Sequence, residues 1–284
     1  MARRAAGRTR RYLRWLALTL AHTTLATAGT PATLPRVASI NLCADQLVLA
    51  LADPAQIVTV SWLAADPTES VSAKLASRYP LNYGTAEELL RFDPDIVVAG
   101  VYTNTFARTL LKRLGMTVVE LEPESSIDDI ETNLRIVAEA LGRDEHGRAA
   151  IAALRAHERA IAAARPATAT TAVVVRPGGF TVGAGTLADE LMKLAGLRNV
   201  AAEQGLDRWG SLSMEGLLRS SPELVVLTDY RSDEPSLANA VLAHPALRGL
   251  ERTRRTTTVP ARYWSCGLPA SLDSAEMLER ALAP

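Results

Sequence analysis

Aromatic residues are scarce in this 284-residue chain, at 5%, and there are only two cysteines, Cys43 and Cys266. Two cysteines are too few for a disulfide framework, so the fold must rest on hydrophobic burial. After the first part of the chain no apolar run reaches the roughly 18 residues that a membrane span needs, so the rest is expected to be soluble. Basic residues are not in excess either: 31 of them face 31 acids. A balanced or acidic chain lacks the positive footprint that nucleic-acid binding requires.

What is present begins with a leader. Met1 to Arg14 holds six arginines and no acid, Trp15 to Leu25 is modestly apolar, and Ala26-Thr27-Ala28 is a small-x-small cleavage signal. This is the layout of a secretory signal peptide, expected over residues 1–28, with a periplasmic destination. Thr9-Arg10-Arg11-Tyr12-Leu13 loosely fits a twin-arginine signal, so that route stands beside general secretion. No Cys follows the cleavage signal, which argues against a lipid anchor there. Without the six arginines the charge becomes −6, and about 255 residues remain, enough for one large domain or two modest lobes.

Strand-like and helical patterns then alternate. Strands are expected at Arg36 to Ile40, Gln56 to Val60, Asp95 to Ala99 and Thr117 to Leu121, with helices at Asp45 to Ala52, Glu87 to Phe92 and Phe106 to Leu114. This order predicts an α/β fold with a largely parallel sheet. The middle is helical: Ile127 to Leu141, with Ser126 as N-cap and Gly142 as stop, then Arg143 to Arg165 ending before Pro166. The second helix would span roughly 30 Å at 1.5 Å per residue. Alternation resumes with strands at Thr171 to Arg176, Leu224 to Leu227 and Thr256 to Val259, and helices at Leu187 to Ala195, Glu215 to Leu218 and Leu272 to Leu282.

The two flanks share a concealed repeat. Glu87 to Val98 reads Glu-Glu-Leu-Leu-Arg-Phe-Asp-Pro-Asp-Ile-Val-Val, and Glu215 to Val226 reads Glu-Gly-Leu-Leu-Arg-Ser-Ser-Pro-Glu-Leu-Val-Val. A helix stopped by Pro before a strand is a common α/β connection. That leaves unexplained a Glu at the same distance upstream in both, so two related lobes are expected.

These segments in this order resemble the periplasmic substrate-binding proteins of iron–siderophore and vitamin B12 ABC importers, over Arg36 to Leu282. The resemblance implies two Rossmann-like lobes, residues 36–141 and 170–284, bridged by a single long helix at 142–166, with ligand in the cleft between them. It implies a monomer that delivers a metal chelate to a permease dimer, with no catalysis and no cofactor of its own. It also implies that one Glu on each lobe engages permease arginines. Glu87 and Glu215 hold the matching positions, and Arg–carboxylate pairs give orientation as well as attraction.

Ligands of open α/β sheets bind beyond the carboxyl ends of the strands. The loops there hold Cys43, Trp62, Tyr83, Tyr102, Arg176, Trp209, Arg231, Arg262, Tyr263, Trp264 and Cys266, the candidate ligand-binding set. Three of the four tryptophans fall in these loops, outside periodic core positions, and rigid aromatic faces suit a large, partly apolar chelate. The arginines could meet carboxylate or hydroxamate groups, whereas a corrin pocket would be more neutral. The cysteines leave three options: a staple across the lobes, thiols near a soft metal, or separate buried residues. Separate or ligand-proximal thiols rank above the staple, because a cross-lobe bond would close the ligand's entrance.

Two rivals are weaker. Direct binding of a divalent metal needs several convergent ligands, yet only His146, His157 and His244 follow the leader. A nucleotide-binding enzyme would account for Gly183-Ala184-Gly185-Thr186-Leu187-Ala188, which fits G-x-G-x-x-A, but Pro177 to Val182 separates it from the preceding strand.

Overall fold

The computed structural model describes residues 34–228, 237–240, 242 and 244–283. The leader and the candidate residue Arg231 lie outside these.

The first half runs β1 (Val37–Ser39), α1 (Leu42–Leu51), β2 (Ile57–Ser61), α2 (Ala73–Ala76), β3 (Leu81–Asn82), α3 (Ala86–Leu90), β4 (Ile96–Gly100), α4 (Thr105–Arg113), β5 (Thr117–Leu121) and α5 (Ile127–Ala140). The long helix α6 (Asp144–Ala164) follows. The second half runs β6 (Thr170–Val175), β7 (Phe180–Val182), α7 (Leu187–Leu194), β8 (Leu197–Asn199), α8 (Val200–Glu203) and β9 (Trp209–Ser211). It ends with α9 (Met214–Ser220), β10 (Leu224–Leu227), α10 (Leu237–Ala240), α11 (Pro245–Thr253), β11 (Arg255–Thr258) and α12 (Leu272–Arg280).

Two sheets result. The first has the order β3-β2-β1-β4-β5 and the second β11-β10-β6-β8, and every pairing in both is parallel. β7 and β9 form a separate antiparallel ribbon. This is the α/β class expected. The inner strands β4, β6 and β10 are covered on both faces, which is why they read as near-continuous apolar runs, whereas the edge strand β11 is Arg-Thr-Thr-Thr and largely exposed. In β4, Val97 and Ala99 join Leu89 of α3 and Leu111 of α4, while Ile96 and Val98 join the opposite core. In β6, Val173 and Val175 meet Leu217 and Leu250, while Ala172 and Val174 face α7 and α12.

That larger core is continuous between the halves. It runs from Leu47 and Leu134 through Leu154 and Ile161 of α6 to Leu191 and Leu278. α6 also reaches both halves by polar contacts. Arg155 bonds Glu131 of α5 at 2.8 Å and also Asp128, and His157 meets Glu276 of α12 at 2.6 Å. The Ser126 hydroxyl caps α5 by accepting from the Asp129 amide at 3.1 Å, as the sequence predicts.

The repeat has a structural meaning beyond its helix. Thr85 and Ser213 occupy equal places as N-caps of α3 and α9. Asp93 (φ 47°) and Ser221 (φ 45°) both take the left-handed backbone just before the proline. The acid after the proline is a strand clamp. Asp95 Oδ2 accepts the Arg36 amide at 2.7 Å beside β1, and Glu223 Oε2 accepts the Thr171 amide at 3.0 Å in β6. These bonds hold the Glu223 carboxyl below its ordinary pKa.

Candidate ligand-binding cleft

A cavity of about 600 Å³ opens between the halves. From the first half it is lined by loops after β1, β4 and β5, with Asn41, Cys43, Tyr102 and Glu124 among them. From the second come Arg176 after β6, Thr186 at the head of α7, Trp209, and Trp264 with Cys266 after β11. The cavity therefore lies beyond the carboxyl ends of both sheets, where α/β ligands bind.

Six of the candidate residues meet at this cavity: Cys43, Tyr102, Arg176, Trp209, Trp264 and Cys266. Tyr102 is 84% exposed and Trp209 55%, so both present open faces, whereas Trp264 is 3% exposed and belongs largely to the wall. Trp62, Tyr83, Arg262 and Tyr263 do not line it. Trp62 follows β2 and Tyr83 follows β3, on the far side of β1 from β4 and β5, so their loops stand away from the cavity. They are exposed and face one another, ring centroids 6.3 Å apart. Arg262 spends its guanidinium on its neighbour, 5.1 Å over the Tyr263 ring.

The ranking of the cysteines is overturned. Cys43 and Cys266 form a disulfide, with S–S 2.13 Å and Cα–Cα 5.2 Å. The bond does not close the entrance, because it forms part of the cavity wall and leaves the space beside it open. A second tie lies next to it. Glu124 Oε2 accepts the Gly267 amide at 3.2 Å, and its Oε1 accepts from Asn133 Nδ2 at 2.6 Å. Burial raises the Glu124 pKa above its ordinary value. A Cβ on Gly267 would strike the Glu124 side chain, so this approach requires glycine. Glu124 follows β5, so the strand-end rule, applied to that loop, would have found it.

Arg176 lies on the opposite wall. Its guanidinium stacks 5.0 Å over the Trp209 ring, burial pushes its pKa down, and its Nε is buried without an acceptor. Arg208, left-handed at φ 57°, lines the cavity beside it and was not singled out by the sequence.

The sequence matches the periplasmic binding protein family over residues 37–259. The chain belongs to that family. A cobalamin-binding protein of Halobacterium salinarum is 28% identical over 216 residues, covering 74% of this chain and 58% of that relative. The chain thus spans little more than half the length of this curated relative. A periplasmic heme-binding protein of Pseudomonas aeruginosa shares the fold at 26% identity and TM-score 0.70, covering 87% of this chain and 92% of that one. A heme-binding protein of Roseiflexus sp. RS-1, solved in apo form, aligns at TM-score 0.73 and 20% identity, covering 87% and 99%.

Within this family member the glycine fingerprint has a packing explanation. A Cβ on Gly183 would collide with the Leu206 carbonyl, and Gly185 takes φ 71°. The turn leads from β7 into α7, whose first turn is capped by the Thr186 hydroxyl accepting from the Asp189 amide at 3.2 Å. Among the described residues no group of three or more His, Cys, Asp or Glu is placed to hold a metal ion.

Proposed function

We propose that this protein is exported under its 1–28 leader, captures a metal chelate between lobes 36–141 and 170–284, and delivers it to the permease dimer of an ABC importer without transforming it. The observation that carries this reading is the cavity of about 600 Å³, fed by the strand ends of two parallel sheets and bordered by Tyr102 and Trp209. Its volume falls within the usual range for small-molecule sites, and exposed rings supply contact area at low ordering cost. Ligands named for the relatives, cobalamin and heme, join ferric siderophores as the candidates. Tryptophan-fluorescence titration with cyanocobalamin, hemin and ferric siderophores, with native mass spectrometry for stoichiometry, tests it. Saturable one-to-one binding of one chelate is expected; silence with all of them would end the reading.

Docking is assigned to Glu87 and Glu215. Both are exposed, in the first turns of α3 and α9. The adjacent Glu88 is already spent on its own loop, accepting from the Tyr83 amide at 2.9 Å, which leaves Glu87 as the outward acid. Glu215 is held by Arg219 at 2.6 Å, an exposed pair weak enough for a permease arginine to replace. A Glu87→Arg/Glu215→Arg variant should lose uptake in reconstituted transporter while binding chelate normally. Undiminished uptake by that variant would remove the docking assignment.

A further inference from the structure

Trp62 and Tyr83 are large rings that the cavity does not use. Both are exposed, Tyr83 at 72%, and neither lines the cavity, yet they meet each other with ring centroids 6.3 Å apart. Aromatic side chains bury large areas at low ordering cost, so an exposed pair is a ready contact surface. Tyr83 stands four residues ahead of Glu87, and a single carboxylate fastens the two together. Glu88 Oε2 accepts both the Tyr83 amide at 2.9 Å and the Thr85 hydroxyl at 3.2 Å, tying the Tyr83 turn to the first turn of α3. From the other side Asn104 Nδ2 donates to the Gly84 carbonyl at 3.2 Å. Ring and acid are thus set in place before any partner arrives, which lowers the cost of binding.

The matching block of the second lobe differs. Four residues ahead of Glu215 stands Ser211, and Trp209 further back already lines the cavity beneath Arg176. Glu215 is closed on Arg219 at 2.6 Å, whereas Glu87 has no ion pair among the described residues, although Arg91 stands at the same spacing. Both helices expose a leucine one turn on, Leu90 and Leu218, so what sets the first lobe apart is an unpaired carboxylate beside two open rings. That combination suits a guanidinium: the carboxylate takes its N–H edge and a ring takes its face. We infer that Trp62, Tyr83 and Glu87 form an arginine-binding face, so that the first lobe leads docking on the permease and the second adds less through Glu215. This rests on the docking assignment to Glu87 and Glu215 and makes it unequal.

Docking can be measured apart from transport, as the affinity of the chelate-free protein for its ABC importer held in lipid nanodiscs. Trp62→Ala and Tyr83→Ala should each weaken it about tenfold, as for an aromatic interface anchor. Tyr83→Phe should keep most of it, because the ring face makes the contact. Glu87→Gln should cost more than Glu215→Gln, and that comparison needs neither ring variant to fold. The thermal midpoint of the ring variants, and their binding of hemin and cyanocobalamin by native mass spectrometry, should match wild type, which separates lost docking from lost structure. Undiminished docking by both ring variants would overturn the anchor. An equal or larger loss from Glu215→Gln would overturn the leading role of the first lobe. Lost chelate binding with docking intact would give the rings to the ligand, and a concentration-dependent dimer that Tyr83→Ala abolishes would give them to a second copy; either result overturns the inference. Undiminished docking by Glu87→Gln/Glu215→Gln would instead remove the docking assignment itself, and the unequal docking with it.

Discussion

Asp45 is wholly buried in the first turn of α1. The hydroxyls of Ser39 and Ser61 and the Ser61 amide, at 2.9 Å, all donate to its carboxylate. Burial outweighs these bonds and raises its pKa from 3.8 to about 6. Between those values the folded protein keeps a proton that the unfolded chain has lost. The stability from this group is therefore full below the unfolded pKa and falls as pH rises through about 6. A shift of that size corresponds to on the order of 3 kcal/mol. Asp45→Asn should flatten this limb and be at least as stable as wild type near neutrality, read as urea midpoints across that window. An unchanged slope in the variant would show that another group titrates there. No sequence pattern announces Asp45, because its donors come from separate strand ends that only the fold brings together. The same limit explains the site. Tyr102, Trp209 and Trp264 were legible as aromatics in strand-end loops, but strand order decides which loops share a cavity. Trp62 and Tyr83 lie on the wrong side of β1, and order cannot be read from composition.

At the scale of elements, most long segments were legible and several short ones were not, although the nine-residue α11 went unforeseen and the three-residue β1 was expected. β5 and β10 were expected at Thr117 to Leu121 and Leu224 to Leu227, where they lie, and α6 differs from its expected ends by one residue at each. β3, β7, β8 and β9, of two or three residues, went unforeseen, since so few positions carry no alternation to detect. Gly147 is a local exception with a structural cause. Glycine inside a helix costs roughly 0.5–1 kcal/mol against alanine. Here a Cβ would run into that of Ala138, so Gly147 lets α6 sit close against α5. Gly147→Ala should therefore destabilise the protein, by about 1–3 kcal/mol of overpacking, against its helix propensity. Adding Ala138→Gly should recover part of the loss. Thermal denaturation of the two variants would decide it, and a stabilised Gly147→Ala would mean that the helices separate cheaply.

For the whole molecule, what matters is what keeps the two halves in register around the ligand. The disulfide joins residues 223 apart in sequence, so it closes most of the described chain into one loop. Cross-links over long loops restrict the unfolded chain most, and removing such a bond costs about 2–5 kcal/mol. Yet the disulfide is one tie of several. The Glu124–Gly267 bond lies beside it, Glu190 of α7 accepts the Ile127 amide of α5 at 2.9 Å, and His157 joins α6 to α12. Beneath them Leu154 and Ile161 of α6 share one apolar core with both sheets. A packed core of this kind resists hinge opening whether or not the thiols are joined. Cys43→Ser/Cys266→Ser should therefore lower the unfolding free energy by about 2–5 kcal/mol. The radius of gyration from small-angle scattering should stay unchanged, and so should chelate affinity. An expanded ligand-free variant that contracts when chelate is added would show the opposite: that the shared core permits opening and the disulfide is what holds the cleft closed.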